Sequence, residues 1–202
     1  TDWEILRLAC LALISGQNPY SIGSGQLVFF NPIWTLIPLI PLSIFPPMIG
    51  LILNGVISIL SLFVVSKKLK LNNFEFFVWA ISPMHLQSIL FGNIEWLPLL
   101  GLILPGPFSL IFFCIKPQAT LGFIAILLYK EWEKGKWKAI AKTILPTIFL
   151  GSANILIWGL PNLPSSNNPG LRSLFPYSLL IGIPALLLAL RNQDDRIAGL
   201  VG

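Results

Sequence analysis

From Ile49 to Val65 the chain carries no charged residue and no alternation of apolar with polar positions, only a near-continuous run of Ile, Leu, Val and small residues. Leu179 to Leu190 repeats the pattern. The strands of a membrane barrel alternate with a period of two, so these runs read as helices. Lipid is implied as solvent, because 55% of the 202 residues are hydrophobic, only 10% are charged, and the mean hydropathy is +0.81. An ordinary soluble domain has about 25% charged residues. In lipid, backbone N–H and C=O groups are satisfied only by helices or closed barrels. The expected fold is all-α: a polytopic transmembrane helical bundle with short broken or re-entrant helices and an N-terminal interfacial helix.

The formal charge of +5 invites a nucleic-acid partner, but ten of the thirteen Lys and Arg stand in short runs beside apolar segments. These are Lys67, Lys68 and Lys70; Lys130, Lys134, Lys136, Lys138 and Lys142; and Arg191 and Arg196. That is the distribution of cytoplasmic loops under the positive-inside rule, and no nucleic acid is expected. Cys10 and Cys114 lie in apolar stretches and read as packing residues. The opening Thr1-Asp2-Trp3 follows no charged-then-apolar leader, so the expectation is a removed start or a fragment.

Along the chain, Thr1 or Asp2 can cap a helix from Trp3 to Ile14, ended by Gly16 and Pro19. Such a helix reaches about 18 Å, short of a hydrocarbon core of about 30 Å. With Glu4 and Arg7 in its first turns it reads as interfacial. Residues 1–28 are thus an interfacial helix and external loop, followed by membrane segments at 29–66, 74–90, 96–129, 143–160 and 174–190. Pro46-Pro47 divides the first segment, and Pro83 is expected to kink the second. Pro105-Gly106-Pro107 and Lys116-Pro117-Gln118 divide 96–129 into pieces too short to span. Broken helices at membrane depth must pack on protein or line a polar cavity, so this region is where a site is sought. With the Lys67 and Lys130 clusters in the cytoplasm, Gly92 to Glu95 and Pro161 to Ser173 lie outside. Residues 29–45 either span or re-enter; re-entry keeps the first loop external.

The ionisable residues away from the basic runs are the site candidates, since charge in or near a bilayer usually faces a cavity or a partner. Lys116 reads either as a lysine snorkelling to the interface or as an anchor for a phosphate. Glu95 can favour the start of a helix at Trp96, and Asp2 can be a plain N-cap. His85 reads as a hydrogen-bonded interior histidine, because no second His and no Cys stands at metal spacing. No metal or cofactor is expected. Trp3, Trp34, Trp96, Trp132, Trp137 and Trp158 lie near segment ends and read as interfacial anchors. Nucleotide-binding loops and nucleophile elbows are absent from the sequence.

Taken in order, these motifs resemble the C-type glycosyltransferases that use polyprenyl-phosphate sugars, especially their mannosyltransferase-like branch. Asp2, the helix Trp3 to Ile14 and Gly16-Gln17-Asn18-Pro19-Tyr20 look like the family's acidic residue, interfacial helix and Gly-x-x-Pro-Tyr turn. Phe30-Asn31-Pro32 keeps part of an aromatic-Pro-Pro motif. Gly92-Asn93-Ile94-Glu95 and Lys116-Pro117-Gln118 match a Gly-Asn corner and a later Lys-Pro break. The resemblance covers residues 1 to about 142. It implies an extracytoplasmic site with Asp2 as general base, Arg7, Tyr20, Asn93, Glu95, Lys116 and Gln118 toward substrate, and Lys116 or Arg7 on the departing phosphate. The implied partners are membrane lipids and a polyprenyl-phosphate-linked sugar, a mannose-type hexose, in the cytoplasmic membrane of a prokaryote. The family has about twice as many membrane segments, so a fragment or degenerate member is also expected. Two rivals remain open: a non-catalytic subunit of a larger membrane complex, and a transporter, for which no inverted repeat is apparent.

Overall fold

The computed structural model describes residues 1–24 and 27–161, with Leu187 and Arg191 as single positions. The crossing expected at 174–190, the return loop beyond Pro161 and the tail lie outside the described residues. The described residues are helical apart from a two-residue hairpin, β1 (Gly23–Ser24) with β2 (Leu27–Val28). They fall into two compact units: Thr1–Leu97 joined by the stretch from Gly151, and Pro98–Leu150.

In the first unit, α1 (Asp2–Ile14) starts at Thr1, whose side chain accepts from the Glu4 N–H. Thr1 is therefore the N-cap, and Asp2 occupies the first helical position. Gly16, at φ +73°, ends α1 with the Gln17 N–H reaching back to the Ala12 carbonyl at 2.8 Å, a left-handed termination that glycine makes without strain. The buried face of α1, Trp3, Leu6, Ala9, Cys10 and Ala12, packs on Leu36, Leu39 and Leu42. Leu36 joins 3-10 turns at Ile33–Thr35 and Ile37–Leu39, Leu39 ends the second of them, and Leu42 lies in α2 (Ile40–Ser43). The stretch from Ile33 to Ser43 reaches about 16 Å, so residues 29–45 do not form a full-length crossing.

Helix α3 (Pro47–Lys68) follows the double proline, and α1 holds that break at two points. Trp3 Nε1 donates to the Pro47 carbonyl at 2.9 Å, and Arg7 Nε donates to the Phe45 carbonyl at 3.2 Å. At about 33 Å, α3 matches a bilayer core. Its polarity is the reverse of a soluble amphipathic helix. The buried positions are Gly50, Asn54, Gly55, Ser58, Ser61, Leu62, Val65 and Ser66, whereas Met48, Ile49, Ile52, Val56, Ile59, Leu60, Phe63 and Val64 are exposed.

After Lys70, at φ +56°, α4 (Asn73–Ala80) opens with a complete capping box between Asn72 and Glu75. It buries no residue, and its Phe74 is 75% exposed. The expected kinked helix over 74–90 is instead two helices. Ile81 and Ser82 leave helical geometry, and α5 (Pro83–Phe91) starts afresh with Ser82 as cap. Proline at a first helical position fits because its missing N–H is not needed there. Neither piece is long enough to cross alone.

In the second unit, the Phe113 ring stacks on Phe123 with Ile126 beside it, and Leu102, Ile124 and Leu127 surround them. These come from a 3-10 turn (Gly101–Ile103) after α6 (Trp96–Leu100), from α7 (Gly106–Phe113) and from α8 (Pro117–Trp158). A Cβ on Gly101 would lie 2.6 Å from the Phe113 ring, so that contact requires glycine. The basic stretch Lys130–Lys142, expected as a loop, is helical except at Gly135 (φ −154°, ψ 21°) and Lys136 (φ 52°, ψ −138°). Those two residues reverse the chain. A Cβ on Gly106 would lie 3.3 Å from Glu131 Oε1 and 3.5 Å from Thr143 Oγ1, although an unbroken helix would separate residues 131 and 143 by about 18 Å. Helix α8 is thus a hairpin whose first arm, at about 27 Å, is longer than the piece expected to end at Tyr129. By length and composition, α3 and the Ala119–Trp158 stretch are the two described elements able to cross a membrane.

Candidate functional site

Trp3 organises the first unit's candidate site. Its indole is 1% exposed and lies between two glycines. A Cβ on Gly50 would come within 2.5 Å of Trp3 Cζ2, and one on Gly92 would run into Trp3 Cβ. Gly92, at φ +73°, also closes α5 in the left-handed conformation. Glycine is required there twice, by backbone geometry and by the close approach of α1. This contact brings the start of α1 onto the Gly-Asn corner, although the two are about ninety residues apart in sequence.

Asp2, next to Trp3 in the chain, and Glu95, three residues after Gly92, are both half-buried. Asp2 and Glu4 lie in the first turn of α1, where exposed N–H groups and the helix dipole favour negative charge. The corner is internally bonded. The Asn93 N–H donates to the Ser88 carbonyl at 2.8 Å, and Asn93 Oδ1 accepts from the Ile94 N–H at 2.8 Å. The Asn93 carbonyl accepts from Asn54 Nδ2 at 3.3 Å and from Ser88 Oγ at 3.4 Å. Asn54 Oδ1 in turn accepts from Trp96 Nε1 at 2.9 Å. Asn54 is fully buried in the middle of α3 and ties that helix to both sides of the corner. Sequence reasoning passed over it, although it is the one carboxamide in an otherwise apolar run.

Arg7 is half-buried, and its Nε is committed to the Phe45 carbonyl. Tyr20 belongs to a different place, beyond the opposite end of α1. Its hydroxyl accepts from Asn154 Nδ2 at 2.8 Å, and its ring stacks on Phe29. Burial raises its phenol pKa, and the Asn154 hydrogen bond opposes that shift. Asn154 Oδ1 also accepts from the Ile33 N–H at 2.9 Å, while Asn18 Nδ2 donates to the Trp158 carbonyl at 2.9 Å. Asn18 caps the 3-10 turn Pro19–Ser21 as well, accepting from the Tyr20 N–H. The Gly-x-x-Pro-Tyr turn is therefore a clasp on the end of α8, and the structure does not gather Tyr20 with Asp2. Sequence reasoning did not find Asn154 or Trp3 as organising residues, because their partners are distant along the chain.

His85 is interior, at 7% exposed, and its Nε2 has no hydrogen-bond partner among the described residues. The interior placement is as expected, and the expected hydrogen bond is not made at Nε2 among those residues. Ser58 Oγ on α3 is likewise without a partner among the described residues.

Lys116 and Gln118 lie in the second unit, at the break between α7 and α8. Lys116 is half-buried, and its carbonyl accepts from the Ala119 N–H at 3.0 Å and from Thr120 Oγ1 at 3.0 Å. Gln118 is in the first turn of α8. The described residues contain no group of three His, Cys, Asp or Glu able to hold a metal. No family model, curated protein or solved structure matches this chain.

Proposed function

We propose that this chain is a multi-pass integral membrane protein of a prokaryotic cytoplasmic membrane. We propose further that it transfers a sugar, a mannose-type hexose, from a polyprenyl phosphate to an extracytoplasmic acceptor. The membrane placement is supported by the reversed polarity of α3, since helices in lipid turn small and polar residues inward and aliphatic residues outward. The observation that supports the transferase reading is the seating of Trp3 on Gly92, which brings the start of α1, with Asp2 next to Trp3, onto the corner whose sequence holds Asn93 and Glu95. The motif order that resembles C-type glycosyltransferases adds to it.

In this reading the Asp2 carboxylate takes the proton from the acceptor hydroxyl as its oxygen attacks the anomeric carbon. The bond to the phosphate oxygen breaks in the same displacement, the configuration inverts, and the departing phosphate takes the electron pair. Arg7, on α1 with Asp2, stabilises the charge growing on that phosphate. Asn93, Glu95 and Tyr20 are assigned to the substrate side, Tyr20 by holding the external turn rather than by lying beside Asp2.

The test is transfer from a radiolabelled polyprenyl-phosphate mannose by the purified chain in nanodiscs. Asp2→Asn is expected to lower the rate by about a hundredfold or more, the usual share of a general base. A variant as active as the parent would remove Asp2 from that role. A folded chain inert toward the donor, purifying in fixed ratio with another membrane protein, would favour the subunit reading.

A further inference from the structure

We propose that the tip of the α8 hairpin docks on anionic phospholipid headgroups, an inference that rests on the membrane placement proposed above. Residues 130–142 carry five lysines and two glutamates. Both acids are engaged within the hairpin. Glu131, at 15% exposed, accepts from Lys134 Nζ at 2.6 Å and faces Gly106, while Glu133 is held by the Tyr129 hydroxyl. Lys136, Lys138 and Lys142 are exposed.

The aromatic residues point to a lipid surface. Trp132 and Trp137 meet edge to face at 5.0 Å, Lys136 Nζ lies 5.2 Å from the Trp132 ring centre, and Trp137 is 72% exposed. An indole on a basic tip matches the headgroup level, where its ring leaves water and its N–H finds phosphate or ester oxygens. On the arms behind the tip, Leu121, Leu145, Ile148 and Phe149 are exposed. An apolar band next to a basic, indole-bearing end has the order of layers found across a leaflet. A nucleic-acid partner would engage the lysines and indoles of the tip but would leave the apolar band behind them in water, whereas a lipid surface takes up both.

The experiment reconstitutes the full chain in mixed phosphatidylglycerol and phosphatidylcholine and measures the ratio of the two lipids that stays bound through mild detergent extraction. The parent is expected to enrich phosphatidylglycerol about three- to fivefold at low salt, with most of that enrichment lost at 0.5 M salt through screening. The triple variant Lys136→Gln, Lys138→Gln, Lys142→Gln is expected to return the ratio close to bulk, and Trp137→Ser to lower it. A parent ratio equal to bulk, or a triple variant matching the parent, would overturn the proposal. So would oligonucleotide binding that the triple variant abolishes while its lipid ratio stays unchanged. Alkaline carbonate extraction separates the two readings: a chain released from the membrane defeats the placement itself, whereas a retained chain without enrichment defeats only the docking.

Discussion

Gly92 is under two demands that a single substitution can separate from one. Its φ of +73° penalises any side chain, and a Cβ there collides with Trp3. Gly16 has the same φ but nothing within 4 Å of its Cβ position. Gly16→Ala is therefore expected to cost about 1–2 kcal/mol, the left-handed penalty alone. Gly92→Ala should cost about 2–5 kcal/mol, because overpacking adds to that penalty. Denaturant titration of both variants in mild detergent checks the difference, and equal losses would mean that Trp3 yields without cost. Cys10 makes a prediction with pH. Burial pushes its thiol from about 9 up to about 12, with Ser43 opposing the shift. Below pH 9 the thiol is neutral in folded and unfolded chains, and its stabilising contribution is complete. Between pH 9 and 12 the unfolded chain loses the proton first, so that contribution is lost as pH rises. The stability difference between parent and Cys10→Ala should shrink over that window, as unfolding midpoints at several pH values would show.

At the scale of elements, the α8 hairpin turns on a strained residue. Lys136 adopts φ 52° and ψ −138°, a region that glycine enters freely and lysine does not. Lys136→Gly relieves strain worth about 1–3 kcal/mol and gives up an exposed cation–π contact worth about 0.5–1 kcal/mol. The net expectation is a stabilisation of about 1 kcal/mol, read as a raised unfolding midpoint. The same hairpin shows what local sequence conveys. The start and end of α1, the break at Pro46-Pro47 and the interruptions around Pro105 and Pro117 were legible, since proline and glycine act on their own turn. The stretch Lys130–Lys142 was misread because charge suggested a loop, while Lys, Glu and Ala are good helix formers and only Gly135 favours a break. The split at Ile81-Ser82 was read as a kink because Pro83 marks a helix start as well as an interruption. At the candidate site, Asp2, Asn93 and Glu95 were legible as polar residues out of place in apolar surroundings. The contact that brings the start of α1 onto the Gly-Asn corner depends on Trp3 fitting a space that two distant glycines leave open, and no local pattern encodes it. Tyr20 was legible as part of a turn, but its attachment to Asn154 was not.

For the whole molecule, the decisive property is which side of its helices is apolar. In water, a helix such as α4, with no buried residue and three phenylalanines, would lack a reason to stay ordered. In lipid the outward aliphatic surface costs nothing, and association depends on close approach at small residues and on hydrogen bonds such as Asn54 with Trp96. Both the sugar-transfer reading and the lipid docking of the hairpin need this placement. Its most direct measurement attaches nitroxide labels along α3 in reconstituted bilayers and compares collisions with oxygen and with a water-soluble nickel chelate. Labels at Ile52, Val56, Ile59 and Phe63 are predicted to meet oxygen and not nickel, with oxygen contact greatest near Val56 and Ile59, while a label at Ser58 meets little of either. Nickel contact exceeding oxygen contact along that outward face would contradict the account.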